Sequence, residues 1–236
     1  MSIFDIFRSK PAVSPFEGAT DYHSHILPGV DDGVRTMDDS LAILDEYEKL
    51  GFRNLWLTPH IMEDVPNEPE ALKTRFKELC DAYKGPIKLN LAAENMLDQL
   101  FLARYENDVL LPIGERGDHI LVETSYFTPP AGLDDIFSKI KKKGFFPLLA
   151  HPERYVYMGP EDYQRHVAND VRLQLNILSL TGFYGKTAQA KSKQLLKKGM
   201  YTCFGTDLHR LKQVGYLREL AESCRYDLSD LSMASL

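Results

Sequence analysis

Residues 20–51 read TDYHSHILPGVDDGVRTMDDSLAILDEYEKLG, and this stretch predicts one strand followed by one helix. A strand-like run at 20–22 leads into a polar loop, and Thr36 is a residue type that caps helix N-termini. The apolar side chains that follow recur at helical spacing, at Met37, Leu41, Leu44 and Tyr47. Gly51 ends the helix, as glycine commonly does. The stretch is therefore one β/α unit.

The same alternation continues along the chain. Seven strand-like runs have starts separated by 26 to 34 residues, the length of a β/α unit. After the first run they lie at 54–57, 88–92, 119–122, 146–150, 172–175 and 201–204. Further helices are expected at 69–84, 133–143, 186–198 and 211–224. Seven parallel units predict an α/β fold, a distorted TIM-like (βα)7 barrel, with a doubly wound open sheet as the alternative.

The composition is typical of a globular protein without clustered positive charge. The chain has 236 residues, with 28 basic and 34 acidic side chains and a formal net charge of −6. This balance argues against nucleic-acid binding. No apolar run reaches the roughly 18 residues that a membrane span requires. Three cysteines without paired spacing indicate reduced thiols and a cytoplasmic location.

We divide the chain into an N-terminal extension, residues 1–19, and a single domain, residues 20–236. The extension begins MSIFDIFRSK and lacks the long apolar region of a secretory signal. We expect its apolar side chains to dock on the barrel rather than on a membrane surface. These side chains are Ile3, Phe4, Ile6 and Phe7.

Side chains with catalytic or metal-binding chemistry follow every predicted strand. The carboxyl ends of parallel strands meet at one face, where active sites of such folds lie. In chain order the candidates are His23, His25, Asp32, His60, Glu94, Glu123, His151, Arg154, Asn176, Asp207 and His209. Five of the seven histidines belong to this set, and only His119 and His166 do not. The pattern predicts a metal centre at the barrel mouth.

The H-x-H spacing of His23 and His25 suits joint metal binding, because side chains at i and i+2 of a strand point to one face. Two hydrogen-bonded core histidines would show the same spacing. Glu123 could instead cap a neighbouring backbone, and Asp32 could be a turn former. Asp31 is expected to be the solvated one of the two aspartates.

The ligand types indicate a hydrolytic site for Mn²⁺, Fe²⁺ or Zn²⁺, because imidazole and carboxylate occur there without thiolate. Nine candidate ligands imply two or three ions. Four carboxylates among them against three divalent ions leave a net positive site, which would attract a phosphate monoester. No C-x5-R loop headed by cysteine and no G-x-x-x-x-G-K-[ST] loop occurs in the sequence.

Two further residues are candidates for binding the substrate. Arg154 is placed to hold phosphate through its planar guanidinium, or else forms a surface salt bridge. Asn176 either contacts substrate or ties loops together. At the leaving group either a protonated His209 or a metal-bridging hydroxide could act.

The segments DYHSHILPGVDDG, TPH, AAEN, LVETS, AHPERY and GTDLH, in this order, resemble the polymerase-and-histidinol-phosphatase (PHP) superfamily. In particular they resemble its CpsB-like branch of bacterial capsule-type tyrosine-protein phosphatases. The resemblance covers residues 20 to 210 and implies a distorted (βα)7 barrel with three metal ions, usually Mn²⁺. It also implies hydrolysis of phosphotyrosine on a membrane tyrosine autokinase that controls capsule or exopolysaccharide export.

The resemblance carries roles to individual residues. It implies nine metal ligands, which are His23, His25, Asp32, His60, Glu94, Glu123, His151, Asp207 and His209. Arg154, Asp207 and His209 are assigned to catalysis, and Arg154 to the phosphate. The family often has a further arginine after D-x-H. Here Arg210, Lys212 or Arg218 could take that place, and we assign Arg210 to substrate binding together with Arg154 and Asn176.

The substrate class leaves alternatives open. Aromatic residues follow several strand ends and would either line a cleft for a phosphotyrosine ring or pack loops. They are Tyr126, Phe127, Tyr155, Tyr157, Phe183 and Tyr184. A phosphotyrosine-protein phosphatase is the leading hypothesis. The alternatives are a small-molecule phosphatase of the histidinol-phosphate type and a non-catalytic, metal-containing partner of the polysaccharide export machinery.

Overall fold

The structure is a computed structural model that describes residues 14–223, 226, 228 and 230–233. Its strands are β1 Thr20–Ser24, β2 Asn54–Leu57, β3 His60–Ile61, β4 Lys88–Leu91, β5 Glu94–Met96, β6 His119–Glu123, β7 Phe146–Ala150, β8 Arg172–Asn176 and β9 Cys203–Gly205. Its helices are α1 Met37–Leu50, α2 Pro69–Ala82, α3 Gln99–Glu106, α4 Leu133–Lys142, α5 Pro160–Ala168, α6 Gly185–Lys197 and α7 Val214–Ser223. Strands and helices therefore alternate, as predicted.

All the paired strands are parallel, in the orders β1-β2-β4 and β3-β5-β6-β7-β8-β9. Two residues separate β2 from β3 and β4 from β5, so each pair is one interrupted strand of a seven-stranded sheet. The sheet curls until its last strand meets its first. The amide of Asp207 donates to the carbonyl of His23 over 2.8 Å, and that of His25 to Leu208 over 3.0 Å. This arrangement confirms the distorted TIM-like barrel rather than the open sheet.

The first helix has the predicted ends. The Thr36 hydroxyl accepts a hydrogen bond from the amide of Asp39, which satisfies a donor in the first helical turn. Gly51 takes a φ of 101°, a left-handed conformation that a side chain would strain. Leu44 and Tyr47 are fully buried on the face that packs against the sheet.

Two helices, α3 and α5, were not expected from the sequence. Helix α3 has only eight residues, and α5 is mainly polar, with Tyr163 and His166 as its buried positions. Neither presents a long apolar stripe, so periodicity gives little signal. The helix expected at 211–224 begins with a 3₁₀ turn, and its α-helical part starts at Val214.

The core has two parts. A large cluster fills the space between the sheet and the helices, and a smaller one lies inside the barrel around Tyr22, Leu121 and Cys203. Phe16, which precedes the first strand, is fully buried and stacks on Phe52 with ring centroids 4.8 Å apart. The side chains of residues 3–7, which we expected to dock on the barrel, lie outside the described residues. Within the part of the chain that is described, no helix has the length and apolar character needed to cross a bilayer.

Candidate metal centre

The first group of possible ligands is His23, His25, Glu94 and Asp207, all of them buried. The Nε2 atoms of His23 and His25 lie 3.0 Å apart, so the H-x-H pair points to one place. Oε2 of Glu94 is 3.1 Å from Nε2 of His23 and 3.2 Å from Nε2 of His25. Oδ1 of Asp207 completes the group at 3.6 and 3.4 Å from the same two nitrogens. These four side chains could hold one ion.

A second group shares Glu94 and adds His60 and Glu123. Nδ1 of His60 lies 3.1 Å from Oε2 of Glu94 and 3.2 Å from Oε1 of Glu123. His151 approaches from the other side, with Nε2 3.0 Å from Oε1 of Glu94 and 3.8 Å from Oε2 of Glu123. Because Glu94 contacts both groups, it is placed to bridge two ions.

The third group is His25, Asp32, His60 and His209. Oδ1 of Asp32 lies 3.4 Å from Nε2 of His209 and 3.6 Å from Nε2 of His60. The side chain of Asp32 is 67% exposed, so this group is the one open to solvent. The structure thus brings all nine sequence-predicted ligands to one end of the barrel.

The donor set fits divalent cations. Nδ1 of His60 and Oε2 of Glu94 lie 3.1 Å apart, yet neither has a partner in hydrogen-bond geometry among the described residues. Two buried polar atoms in this state are costly unless a ligand satisfies them. Burial favours the neutral form of Glu94, but the charges of His23 and His60 outweigh it and hold the pKa of that carboxyl well below its usual range. An ionised carboxylate among imidazoles is the ligand chemistry of Mn²⁺, Fe²⁺ and Zn²⁺.

The side chain of Asp31 is fully buried, so our expectation that it would be the solvated aspartate was wrong. Its Oδ2 lies 2.8 Å from Nδ1 of His25 and accepts the amide of His60 over 3.1 Å, and Oδ1 accepts the amide of Gly33 over 2.9 Å. The VDDG loop therefore folds Asp31 inward and turns Asp32 outward. Asp31 fixes the ring of His25 so that Nε2 faces the first group.

Gln174 orients the ring of His23 as Asp31 orients that of His25, and this role was not predicted from the sequence. Its Oε1 lies 2.7 Å from Nδ1 of His23, while its Nε2 donates to the carbonyl of Tyr22 over 3.1 Å. Because an oxygen faces Nδ1, that nitrogen carries a proton, and the neutral ring then offers Nε2 to a metal ion. Its position two residues before Asn176, on the same face of β8, was the available signal.

A buried network around Asp21 supports the first group from behind. Oδ1 of Asp21 accepts the amides of His23 and Thr206, and Oδ2 accepts the hydroxyls of Tyr47 and Thr206, all within 3.0 Å. Burial raises the pKa of Asp21 to about 6, against the lowering effect of the bonds from Thr206. Asp21 thereby ties β1, which carries His23, to the segment that carries Asp207.

Arg154 follows His151 in a short 3₁₀ turn, Pro152–Arg154. Its Nη1 donates to Oδ2 of Asp207 over 2.7 Å, and its guanidinium lies 4.5 Å from the ring centre of Tyr126 and 4.0 Å from that of Tyr184. The group is mostly buried between two aromatic faces, so it is no surface salt bridge.

Backbone strain is concentrated at this centre. Of four non-glycine residues in the described ranges with positive φ, two are His151 (36°) and Asp207 (51°). Such conformations persist where surrounding contacts impose them, commonly at functional sites. Buried Glu153 supplies such contacts, because its carboxylate accepts the amide of Asn176 over 3.0 Å and the hydroxyl of Tyr201 over 2.9 Å. Glu153 was not singled out from the sequence.

The two remaining candidates lie at different depths. Asn176 is buried, and its Nδ2 donates to Oδ2 of Asp207 over 2.9 Å. Its substrate contact stays a prediction, while the observed contact orients Asp207. Arg210 is exposed and lines the opening. The cavity has a volume of about 360 Å³ and is lined by Asp32, His60, Glu94, Glu123, Tyr126, His151, Arg154, Phe183, Tyr184, Asp207, His209, Arg210 and Gln213.

Fold and site place the chain among the β/α-barrel proteins with a divalent-metal centre at the carboxyl ends of the strands. The chain belongs to the CpsB/CapC family of capsular polysaccharide synthesis, whose model matches residues 19–225. It is 28% identical over 201 residues to the tyrosine-protein phosphatase YwqE of Bacillus subtilis, covering 81% of this chain and 78% of that one. It is 26% identical over 212 residues to the tyrosine-protein phosphatase CpsB of Streptococcus agalactiae, covering 81% and 83%.

A solved structure shows the same fold. It comes from crystal structures of YwqE from Bacillus subtilis and CpsB from Streptococcus pneumoniae, described as unique metal-dependent tyrosine phosphatases. The TM-score is 0.78 at 25% sequence identity, and the match covers 89% of this chain and 88% of that one.

Proposed function

We propose that this protein is a metal-dependent protein-tyrosine phosphatase. The observation that carries the proposal is that one cavity joins the three groups of possible metal ligands to the guanidinium of Arg154. The names of its relatives support the same activity.

The proposed cofactor is a set of three divalent ions, with Mn²⁺ preferred over Fe²⁺ or Zn²⁺. Three overlapping ligand groups support this number. When bound, the ions would supply activated water and would neutralise charge on the phosphoryl group. Asp32, His60 and His209, the solvent-facing ligands, would hold the ion that substrate reaches first.

The protein's own residues would bind the phosphate and assist the leaving group. Within the described residues, the guanidinium of Arg154 makes one hydrogen bond, to Asp207, so its other N–H groups can reach phosphate oxygens. The backbone carbonyl of Asp207 accepts from Nδ1 of His209 over 2.9 Å, which directs Nε2 towards the open side of the cavity. His209 could serve the leaving group only as an alternative to binding an ion, because Nε2 is its one free nitrogen: protonated there, it would donate to the departing phenolate oxygen.

The substrate would be phosphotyrosine on a protein, for which we propose a tyrosine autokinase of polysaccharide export on the basis of family membership. Tyr126, Phe183 and Tyr184 line the cavity and would contact the phenyl ring. The described cysteines, Cys80 and Cys203, are unpaired, which supports a location in the cytoplasm.

The test compares hydrolysis of a phosphotyrosyl peptide with that of histidinol phosphate by the metal-loaded protein. We expect strong preference for the peptide, loss of activity with a chelator, and recovery with Mn²⁺. His151→Ala should abolish turnover, whereas Asp38→Asn, at an exposed site on α1, should not. Preference for histidinol phosphate would indicate a small-molecule phosphatase, and no hydrolysis of either ester would indicate a non-catalytic metal protein.

A further inference from the structure

An aromatic surface runs from inside the cavity to the outside of the protein. Phe183 lines the cavity, yet its side chain is 38% exposed. Its ring packs edge to face on Tyr216, with centroids 5.0 Å apart at an interplanar angle of 70°. Tyr216 lies in α7, is 37% exposed and is not part of the cavity wall. A group that enters the cavity on this side must therefore pass two accessible rings.

The turn before α7 adds positive charge to this surface. It reads Arg210, Leu211, Lys212, Gln213, with two cations and no acid in a chain of net charge −6. Arg210 and Gln213 line the cavity, whereas Leu211 and Lys212 are exposed beside it. We define the rim surface as the set Phe183, Arg210, Leu211, Lys212 and Tyr216.

The make-up of the rim surface indicates the chemistry of its occupant. Contiguous exposed apolar side chains on a globular protein commonly mark an interaction site, and aromatic residues and arginine dominate binding energy at such sites. Lysine and arginine beside them favour an anionic partner. Phe183 and Arg210 belong both to the cavity wall and to the rim surface, so a chain attached to a group inside the cavity can reach the rim surface directly. A small phosphate ester would fill the cavity without reaching Tyr216.

We propose that the rim surface binds the polypeptide next to the phosphotyrosine, with a large apolar side chain against Phe183 and Tyr216 and a carboxylate beside Arg210 and Lys212. This inference rests on the proposed phosphatase function and adds to it a sequence preference for the substrate. It also identifies residues that bind substrate and take no part in the chemical step.

The test uses two substrates on the metal-loaded protein. One is phenyl phosphate, and the other is a phosphotyrosyl peptide with leucine and aspartate beside the phosphotyrosine. Tyr216→Ala should lower kcat/KM for the peptide about tenfold, mainly through KM, and leave phenyl phosphate unaffected. Lys212→Glu should also weaken binding of the peptide, and this effect should be larger at low salt. The matched control is Val167→Ala on α5, because Val167 is 38% exposed. This variant should leave kcat/KM unchanged for both substrates.

Three results would overturn the rim proposal. The first is an equal kcat/KM for the peptide in the parent and in Tyr216→Ala. The second is an equal loss of kcat/KM for the peptide and for phenyl phosphate in Tyr216→Ala. The third is a kcat/KM of the parent for the Leu/Asp peptide no higher than that for a peptide with serine on both sides of the phosphotyrosine. If the parent hydrolyses neither phenyl phosphate nor the peptide, the phosphatase proposal fails instead. Fluorescence anisotropy with the labelled phosphotyrosyl peptide then still tests whether the rim surface binds the peptide. A Kd unchanged by Tyr216→Ala would contradict the rim proposal.

Discussion

Nη1 of Arg154 lies 2.7 Å from Oδ2 of Asp207, so the proposed phosphate-binding side chain is hydrogen-bonded to a proposed metal ligand. The same carboxylate oxygen accepts from Nδ2 of Asn176 over 2.9 Å and from the hydroxyl of Tyr184 over 3.3 Å. Asp207 is therefore fixed from three sides, and its Oδ1 is left facing the imidazoles of the first ligand group. The proposed phosphate-binding and metal-binding sites therefore share this one carboxylate.

Arg154→Lys should lower kcat/KM on a phosphotyrosyl peptide about 100-fold, because a lysine cannot bond Asp207 and phosphate with one planar group. Metal content, measured by elemental analysis, should stay close to that of the parent. The control is Arg165→Lys on α5, where the guanidinium pairs with Asp162 at the surface. Unchanged peptide kinetics in Arg154→Lys would remove the phosphate role from Arg154.

Tyr184 combines two contacts that substitutions can separate. Tyr184→Phe keeps the ring 4.0 Å from the Arg154 guanidinium and loses the contacts of the hydroxyl with Asp207 and Asn176, so kcat/KM should fall by no more than about threefold. Tyr184→Ser removes the ring as well and should lower kcat/KM about tenfold further. Steady-state kinetics on the phosphotyrosyl peptide measure both. Equal losses in the two variants would mean that the hydroxyl, and not the stacked ring, holds the guanidinium.

Asp31→Asn should weaken metal binding about 10- to 100-fold without removing a ligand. The amide oxygen can still accept from Gly33, but the NH₂ group would face the amide of His60 and Nδ1 of His25, where the carboxylate now accepts. Competition of the protein with a calibrated chelator for Mn²⁺ gives the change in affinity. Asp38→Asn serves as the control, and affinity equal to the parent's in Asp31→Asn would contradict the role in holding His25.

The sequence was enough to predict the barrel and the convergence of the candidate ligands, because both follow from short-range patterns. Strand-like runs at regular spacing give the parallel units, and the carboxyl end of each strand gives the place of its ligand. His60, Glu94 and His151 could therefore be assigned to one centre although 57 residues separate the last two.

The groups that orient the ligands could not be predicted in this way. Asp31 and Asp32 are neighbours of identical type, and only the packing of the loop against the amides of His60 and Gly33 decides which one is buried. Gln174 is a neutral amide inside a strand, and its partner His23 is 151 residues away. Such contacts depend on how the closed sheet brings side chains of β8 within reach of β1, although β9 lies between the two strands, and no local spacing encodes this.

Asp21 should give the metal-free protein a pH dependence that Asp21→Asn removes. An aspartate in an unfolded chain has a pKa of about 3.9, whereas burial raises the pKa of Asp21 in the fold to about 6. Between these values the folded state binds more protons than the unfolded state, so the contribution of Asp21 to stability falls as the pH rises from about 4 to 6 and stays low above that. The two pKa values differ by about 2, equivalent to about 3 kcal/mol at most.

An asparagine at position 21 fits the same network, because its oxygen can accept the amides of His23 and Thr206 and its NH₂ group can donate to the hydroxyl of Tyr47. Urea unfolding in the presence of a chelator, repeated between pH 4 and 8, gives the free energy of unfolding for parent and variant. The parent should lose stability relative to Asp21→Asn across this range, while Asp45→Asn, at an exposed site on α1, controls for the loss of one carboxylate. The difference between the two curves then reports Asp21, and a difference that does not change with pH would show that folding does not raise the pKa of Asp21.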